Sequence, residues 1–370
     1  MKLNINRPDF LKSWQIVERF TNGNILISAS DENTKFEATD LKTSVSCNVD
    51  GVHVEEAGEA LVPAALLGSM IRKLSSDDLF LEINSERGFL QSGASKMRFM
   101  IVPTEQFPKI SNSSNAEEIC EISANTLATL IFEGTSAASK PEDYPKYMGT
   151  CLLRTADNKL KAASTDGKRL AISTCPCEKI NKDIDLLLPA QALKDLARTI
   201  ASEKTVKISA NASRVWFDLD NLVFSIQLID ASFPQYERIL NDSVETSLDI
   251  KSEEFIKVLE RIDIIAKTTV THVMVMNLNS NGELKISTRS PEKGTASEVI
   301  NAEISGKDMQ VGFNVGYFLD GLKAMGSGDI HIEFSGEESQ ARIKRMNGDD
   351  FLYMLMPTRL SAQDIISEEE

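Results

Sequence analysis

Apolar residues recur along the chain with two different spacings, and segments of one kind alternate with segments of the other. The stretch VKISANASRVWFDLDNLVFSIQLID (206–230) alternates apolar and polar residues around turn-forming Asn, Asp and Ser, which is typical of antiparallel strands. Other stretches place apolar residues three and four positions apart, which predicts amphipathic helices. The chain is therefore predicted to combine helices with antiparallel sheet.

One helix-forming pattern occurs three times. Each copy has an apolar run, then Pro or Asn, then an apolar stripe with helical spacing: LVPAALLGSMIRKL (61–74), LLPAQALKDLARTI (187–200) and GFNVGYFLDGLKAM (312–325). The expected helix N-terminal residues, Pro63, Pro189 and Asn314, recur about every 125 residues. A repeat of this length predicts repeated domains.

A second set of three helices has the same period. Its members follow short strands and place Phe10, Leu127 and Phe255 at equivalent positions. We predict an α+β fold of three repeated domains, each with two helices packed on antiparallel sheet. Polar, turn-forming joints place these domains at residues 1–117, 118–245 and 246–360, followed by an acidic tail at 361–370.

Composition narrows the class of protein. The formal net charge is -15 over 370 residues, whereas a general nucleic-acid binder carries an excess of Lys and Arg. An acidic protein can still be basic on one face, and a cation occupies one position of the second helix in every repeat. For a single such cation, a solvated helix face is the simpler interpretation; three equivalent copies favour a shared row.

Five scattered cysteines are typical of reduced thiols in the cytoplasm rather than of a disulfide framework. The N-terminus has no apolar signal region, and no stretch approaches the ~18 apolar residues of a membrane span. We therefore expect a soluble cytoplasmic protein with no membrane partner.

Candidate catalytic chemistry is sparse. The histidines His53, His272 and His331 fall in three different repeats and form no metal-ligand motif, and Cys175-Pro-Cys177 lacks the second pair of a zinc site. The corner STDGKRLA (164–171) could suggest a phosphate loop, but the Walker spacing is missing. We predict no enzymatic activity, no metal and no cofactor.

The chain resembles the bacterial sliding clamp family, the β subunit of DNA polymerase III, over nearly its whole length. The resemblance lies in STDGKRLA, FPQYERIL (233–240), GFNVGYFLDGLKAM and MLMPTRL (354–360), which follow the family's order on a threefold repeat. It implies a ring of two head-to-tail subunits, with helices around a hole for duplex DNA and sheet outside. It also implies a processivity factor associated with the nucleoid.

The resemblance assigns two groups of residues to this ring. Met97 and Phe99 would face Ile264 and Ile265 of the neighbouring subunit, although packing inside its own domain is the alternative for Phe99. The recurring cations would face the DNA backbone without reading its sequence. These DNA-facing residues are Lys12, Arg72, Lys73, Lys194, Arg198, Lys257 and Lys323.

The resemblance also implies a hydrophobic pocket between the second and third domains that binds peptides of the polymerase III α subunit, the clamp loader and other clamp-binding proteins. Where the family usually has His, Met and an aliphatic residue, this chain has Lys168, Thr358 and Tyr147, so its preferred peptide is expected to differ. The residues carried over are Tyr147, Thr165, Gly167, Lys168, Arg169, Leu170, Pro234, Arg238, Ile239, Asn314, Tyr317, Met354, Leu355, Met356, Pro357, Thr358 and Arg359.

Three points stay open on the sequence. The tail SAQDIISEEE is expected to be disordered and acidic; alternatively Gln363, Ile365 and Ile366 imitate a clamp-binding peptide. The chain could instead be a divergent clamp acting in repair or on a mobile element. It could also be a ring-shaped scaffold that binds only proteins.

Overall fold

The structure is a computed structural model that describes residues 1–140, 143–177, 179–200, 204–240, 243–361 and 364–365. Its strands and helices follow the predicted threefold repeat. No helix within these ranges combines the length and the apolar content needed to cross a bilayer.

The first repeat begins with a strand that leads directly into a helix. Asn6 caps this helix by accepting a hydrogen bond from the Asp9 amide, 3.3 Å away. In chain order its elements are β1 (Lys2–Asn6), α1 (Arg7–Val17), β2 (Asn24–Ala29), β3 (Thr34–Thr39), β4 (Thr43–Val49), β5 (Val52–Glu56), β6 (Gly58–Pro63), α2 (Ala64–Lys73), β7 (Asp78–Ile83), β8 (Arg87–Ser92) and β9 (Ser95–Met100).

The second repeat has the same order, with a single antiparallel bridge between Cys120 and Ile180 where the first repeat has β5. Pro189 ends the strand before its second helix, as Pro63 does in the first repeat. Its elements are β10 (Glu117–Ser123), α3 (Ala124–Gly134), β11 (Thr150–Ala156), β12 (Lys159–Thr165), β13 (Arg169–Pro176), β14 (Asp185–Pro189), α4 (Ala190–Ile200), β15 (Thr205–Ala210), β16 (Arg214–Leu219) and β17 (Leu222–Gln227).

The third repeat regains the extra strand, and its second helix begins after a capping Asn314. Its elements are β18 (Thr246–Lys251), α5 (Ser252–Ala266), β19 (Val273–Leu278), β20 (Glu283–Ser290), β21 (Gly294–Asn301), β22 (Glu303–Gly306), β23 (Met309–Asn314), α6 (Val315–Met325), β24 (Asp329–Phe334), β25 (Ala341–Arg345) and β26 (Gly348–Leu355).

Residue contacts divide the chain into two compact units. The first contains Met1–Asn125, Lys179–Lys182 and Thr199–Leu228. Its sheets have the strand orders β5-β1-β7-β8-β9 and β10-β15-β16-β17-β4-β3-β2-β6. Helices α1 and α2 pack on each other and on the second of these sheets, around an aromatic cluster of Phe10, Trp14 and Phe36.

The second unit contains Thr126–Glu178, Asp183–Arg198 and Ile229–Glu370. Its sheets have the orders β14-β11-β12-β13-β26-β25-β24-β18-β22 and β21-β20-β19-β23. Helices α5 and α6 pack on each other and on strands of the third repeat, with Phe255, Phe313 and Phe318 in the core.

Strand pairing between successive repeats follows one rule. The last strand of the second repeat, β17, pairs with β4 of the first, and the last strand of the third, β26, pairs with β13 of the second. Both pairings are antiparallel and continue a sheet from one repeat into the next. Each compact unit therefore contains one such continuous sheet, and the second repeat contributes strands to both.

Candidate functional site

The corner between β12 and β13 is a tight hairpin turn stabilised by its own side chains. Asp166 Oδ1 accepts hydrogen bonds from the amides of Lys168 and Arg169 at 3.0 and 3.1 Å. Thr165 Oγ1 accepts one from the Gly167 amide at 3.1 Å. Gly167 has a φ of 84°, a left-handed conformation that favours glycine. A strand follows this corner instead of the helix that a phosphate loop needs.

Arg169 joins the second repeat to the third. Its side chain is 9% exposed and forms ion pairs with Asp166 at 2.9 Å and with Asp320 of α6 at 2.6 Å. Its guanidinium carbon lies 4.2 Å from the ring centre of Tyr317, and Nη1 donates to the hydroxyl of Tyr353 at 3.2 Å. Burial lowers the pKa of Arg169, but Tyr353 and the two carboxylates outweigh burial and leave that pKa raised. The residue fixes the junction beneath the expected pocket.

The floor of the expected pocket is apolar. Leu170 and Met354 are opposite each other in the β13–β26 pair and are 1% and 2% exposed. They pack with the buried residues Leu152, Ala163, Leu187 and Tyr236, and with the partly buried residues Ile172, Ile229, Ala231, Phe233 and Leu240. The structure therefore brings the STDGKRLA, FPQYERIL and MLMPTRL segments into one cluster.

An aromatic wall borders this floor. The ring of Tyr147 meets Phe233 edge-on at 6.4 Å, and Phe233 meets Tyr236 edge-on at 6.1 Å. Arg154 holds the turn at Tyr236–Ile239 by pairing with Glu237 at 2.8 Å, while it also pairs with Asp185. No sequence pattern marks Arg154, because its carboxylate partners are distant along the chain.

The rim of the cluster is exposed and cationic. Lys168, Arg238 and Arg359 are exposed, as are Ile239 and Met356, at 50% and 45%. The Met356 amide donates to the Lys168 carbonyl at 2.8 Å, which places the terminal segment beside the corner. Farther along, the Thr358 amide donates to the Gly312 carbonyl at 2.8 Å. Pro234, Pro357 and Thr358 are half-buried between floor and rim.

Several expected pocket residues have a local structural role. Asn314 Oδ1 accepts from the Tyr317 amide at 3.0 Å and caps α6, so this oxygen is already bonded. Tyr317 is half-buried under Arg169, and Leu355 is 1% exposed. Thr165 is also buried, with its hydroxyl donating to the Arg169 carbonyl at 2.6 Å. These side chains support the pocket from beneath.

The expected DNA-facing cations differ in their surroundings. Lys12, Lys73 and Lys257 are exposed on α1, α2 and α5. Three others pair with carboxylates of their own unit: Arg72 with Glu18, Arg198 with Asp195 and Lys323 with Glu260. Lys194 is half-buried on α4. Exposed ion pairs of this kind are weak and leave the cations available to other anions.

The expected interface residues also differ in how exposed they are. Ile264 is 58% exposed near the end of α5, and Ile265 is half-buried. Met97 is half-buried, but Phe99 is 5% exposed, with its ring covering Gly88 of the neighbouring strand. For Phe99 the single chain shows the alternative that the sequence left open, a ring packed inside its own sheet, and its place at a subunit interface stays a prediction.

Two further expectations concern the tail and metals. Gln363 and Ile366 lie outside the described residues, so the imitation of a clamp-binding peptide stays a prediction; Ile365 is 38% exposed. Where the structure describes the chain, no three His, Cys, Asp or Glu side chains are grouped so that they could hold a metal ion.

Three repeated α+β domains that continue their sheets into one another define the class of DNA-clamp proteins. Three family models match the chain in order: the N-terminal domain of the DNA polymerase III beta subunit at residues 1–111, its central domain at 121–235 and its C-terminal domain at 237–359. The chain belongs to the DNA polymerase III β subunit family.

Curated relatives and solved structures agree with this assignment. The beta sliding clamp of Pseudomonas putida is 27% identical over 97% of this chain and 100% of its own length, and that of Staphylococcus aureus is 26% identical over 90% and 88%. The crystal structure of the DNA polymerase III subunit beta from Pseudomonas aeruginosa superposes with a TM-score of 0.90 at 24% identity, over 97% of this chain and 100% of that one. The sliding clamp of Bacillus subtilis gives 0.91 at 22%, over 98% and 100%.

Proposed function

We propose that this protein is a DNA sliding clamp that encircles duplex DNA as a head-to-tail dimer and tethers the replicative polymerase through a peptide pocket. Its task is attachment rather than catalysis. The observation that carries this proposal is the strand-pairing rule between repeats. Two such pairings lie inside the chain. They leave β9, the last strand of the first repeat, and β21, the strand of the third repeat that corresponds to β4 and β13, with only one partner each among the described residues.

The equivalence of these edge strands can be followed residue by residue. In each repeat, a row of opposed residues crosses one sheet to its last strand. The rows are Leu3–Leu81–Leu90–Met97, Cys120–Ile208–Phe217–Phe224 and Leu248–Ile332–Ile343–Tyr353. Phe224 continues to Val45 and Tyr353 to Ala171 in the next repeat, whereas Met97 has nothing beyond it in the described chain.

The residue that would pair with Met97 in a second subunit can be identified in the sheet that ends in β21. The count starts from the residue before each second-helix cap and crosses three strand pairs, with the register of the middle pair extended by one residue. On this count, Ala296 of β21 occupies the position of Val45 and Ala171. Pairing of Met97 in one subunit with Ala296 in another would repeat the internal junction. Because this contact joins different ends of identical chains, it is heterologous and closes a ring when the rotation permits. Two chains with three domains each supply six.

A closed ring explains how an acidic protein can hold DNA without reading its sequence. The exposed cations of the helices would contact phosphates, which fixes no base preference. Topological trapping then supplies the persistence that surface charge alone does not. The proposed location, at the nucleoid in the cytoplasm, follows from this role.

The apolar cluster around Leu170 and Met354 supports the second half of the proposal. A buried floor, an aromatic wall and an exposed cationic rim suit a short peptide that inserts apolar side chains. Methionines on such a surface allow different peptides to bind. The proposed ligands are segments of the polymerase III α subunit, the clamp loader and other clamp-binding proteins.

The ring proposal is tested by loading onto nicked circular DNA with a clamp loader and ATP. The protein should remain on the circle during gel filtration at moderate salt and dissociate once a restriction enzyme linearises the DNA. Retention that is the same on linear and circular DNA would indicate ordinary binding. Absence of retention on both would contradict the proposal.

The pocket proposal is tested with a labelled peptide from the polymerase α subunit. Ile239→Ala should weaken peptide binding roughly tenfold, because burying an Ile side chain contributes about 1.5–3 kcal/mol and 1.4 kcal/mol is a factor of ten. Met346→Ala is a matched control, since Met346 has similar exposure outside the cluster. Equal affinity of the two variants would place the peptide elsewhere.

A further inference from the structure

A cavity of about 540 Å³ opens among α3, α4 and α6, apart from the expected peptide pocket except for Arg169. Its volume lies in the range of small-ligand sites, roughly 300–1,000 Å³. The walls are mostly apolar, with alanine side chains of the three helices and the ring of Phe132. Thr129 and Ser136 also line the cavity, and its charged lining residues are Arg169, Lys194, Arg198, Asp320 and Lys323.

Not every cation of this lining has a carboxylate partner among the described residues. Arg169 pairs with Asp320 at 2.6 Å, Arg198 with Asp195 at 3.1 Å, and Lys323 with Glu260 at 2.8 Å. Lys194 differs from them, because it forms no hydrogen bond or ion pair within the described parts of the chain.

The surroundings of Lys194 favour a bound anion. Burial is the main cause that lowers the pKa of Lys194, and Arg169 lowers it further. Asp320 raises this pKa by less than Arg169 lowers it, and Arg198 adds a still smaller lowering. An ammonium held half-buried between two guanidinium groups is less stable than one in water. An anion bound at this position would form an ion pair with the Lys194 ammonium.

Phe132 supplies a second feature that points to a ligand. It is 57% exposed in the last turn of α3, although most phenylalanines of the described chain are buried. Alanines at 128, 138, 197 and 324 line the same cavity, and their small side chains leave it open. A flat apolar ligand could therefore stack on Phe132 while a charged group reaches Lys194.

We propose that this cavity binds one unpaired nucleotide of a DNA strand, with its base against Phe132 and its phosphate at Lys194. Sites for single-stranded nucleic acid combine these two elements, a cationic surface for the backbone and an aromatic ring for the base. A base in a duplex is stacked on both faces and cannot occupy such a site. The inference goes beyond encirclement of a duplex, which requires no cavity.

The test uses the intact protein without a loader and measures the fluorescence anisotropy of a short labelled oligothymidylate and of a duplex of equal length. The wild type should bind the single strand more tightly than the duplex. Phe132→Ala and Lys194→Gln should each weaken single-strand binding about fivefold or more. Phe132→Ala should leave duplex binding within about twofold, whereas Lys194→Gln removes an expected DNA-facing cation and should weaken duplex binding by a smaller factor than single-strand binding. Lys257→Gln removes an exposed cation outside the cavity and should reduce both affinities alike.

Two other results of this experiment would contradict the nucleotide site, each in its own way. If Lys194→Gln weakens binding but Phe132→Ala does not, the cavity holds only an anion, and inorganic phosphate should then compete fully. If an acidic peptide displaces the oligothymidylate and binds more tightly, the ligand is a protein segment. Because Phe132 is exposed, its alanine variant should fold and should still load on nicked circles. Loss of loading in the wild type would instead contradict the clamp function.

Discussion

Glu133 carries a buried charge that connects the second repeat to the third. Its side chain is 3% exposed; Oε1 accepts from Arg345 Nη2 at 2.5 Å, and Oε2 accepts from the Ser173 hydroxyl at 2.5 Å. Arg345 also donates to the Met325 carbonyl at 2.9 Å and lies over the ring of Phe351. A buried pair of this kind stabilises mainly because either charge alone would be unsatisfied.

Glu133→Ala should therefore lower the free energy of unfolding of this region by about 2 kcal/mol, less than the ~3–5 kcal/mol of a fully buried pair because Arg345 remains partly exposed and keeps Asp350. Thermal unfolding monitored by circular dichroism would measure the shift. Glu260→Ala removes an exposed partner of Lys323 and should change stability by less than ~1 kcal/mol. Equal shifts for the two variants would contradict this account.

The five cysteines are all buried free thiols. Burial, the main cause, raises the pKa of Cys151 and of Cys175 from 9.0 to about 12. At pH 7.5 both are protonated and poorly reactive, since the thiolate is the nucleophile. Fewer than one thiol per chain should react with an aromatic disulfide reagent before unfolding, and all five in denaturant. Rapid reaction of the native protein would contradict the burial.

These thiols should also make the free energy of unfolding decrease as the pH rises above about 9. Because each folded-state pKa is raised, the unfolded chain loses its thiol protons first as the pH rises. Their contribution to stability is complete below about pH 9 and declines through the window from about 9 to 12. The midpoint of urea unfolding should fall between pH 9 and 10.5, and a rise would contradict the sign.

At the scale of elements, the proposed ring joins two chains through the strands β9 and β21. Antiparallel residues directly opposite each other have Cα atoms about 4.5–5.5 Å apart, within the range that a disulfide spans. Met97 and Ala296 are both half-buried and are the residues that the repeat places opposite each other.

The variant that combines Met97→Cys with Ala296→Cys should form a covalently closed dimer on mild oxidation, read on a non-reducing gel. The native thiols should contribute little background because they are buried. Met97→Cys combined with Ser297→Cys is the control, since a shift of one residue turns the new thiol to the other face of the strand. Equal yields for both pairs would contradict the proposed register.

At the same scale, the sequence predicted elements well where their signals are local. Pro63, Pro189 and Asn314 mark the ends of three strands that lead into helices, as their spacing indicated. The sequence left two alternatives for Phe99, because alternation along a strand does not show that Gly88 of the next strand leaves room for its ring.

At the scale of the whole molecule, dimer formation should depend on the end of α5. Ile264→Ala combined with Ile265→Ala should give monomers in sedimentation velocity, because the exposed Ile264 has no apolar cover in the single chain. Leu66→Ala changes another exposed apolar residue and should leave the dimer intact. A dimer that persists in the double variant would remove these residues from the interface.

The sequence by itself determined the repeat, the alternation of helices and strands, the family and the segments that meet in the apolar cluster around Leu170 and Met354. These features follow from spacing and residue type, which are local properties of the chain. Only the tertiary structure decided which charges form ion pairs. Arg169 pairs with Asp320 and Glu133 with Arg345, whereas Lys194 forms no ion pair among the described residues. Such contacts join positions far apart in sequence, and their energy depends on burial and distance, which no periodicity encodes.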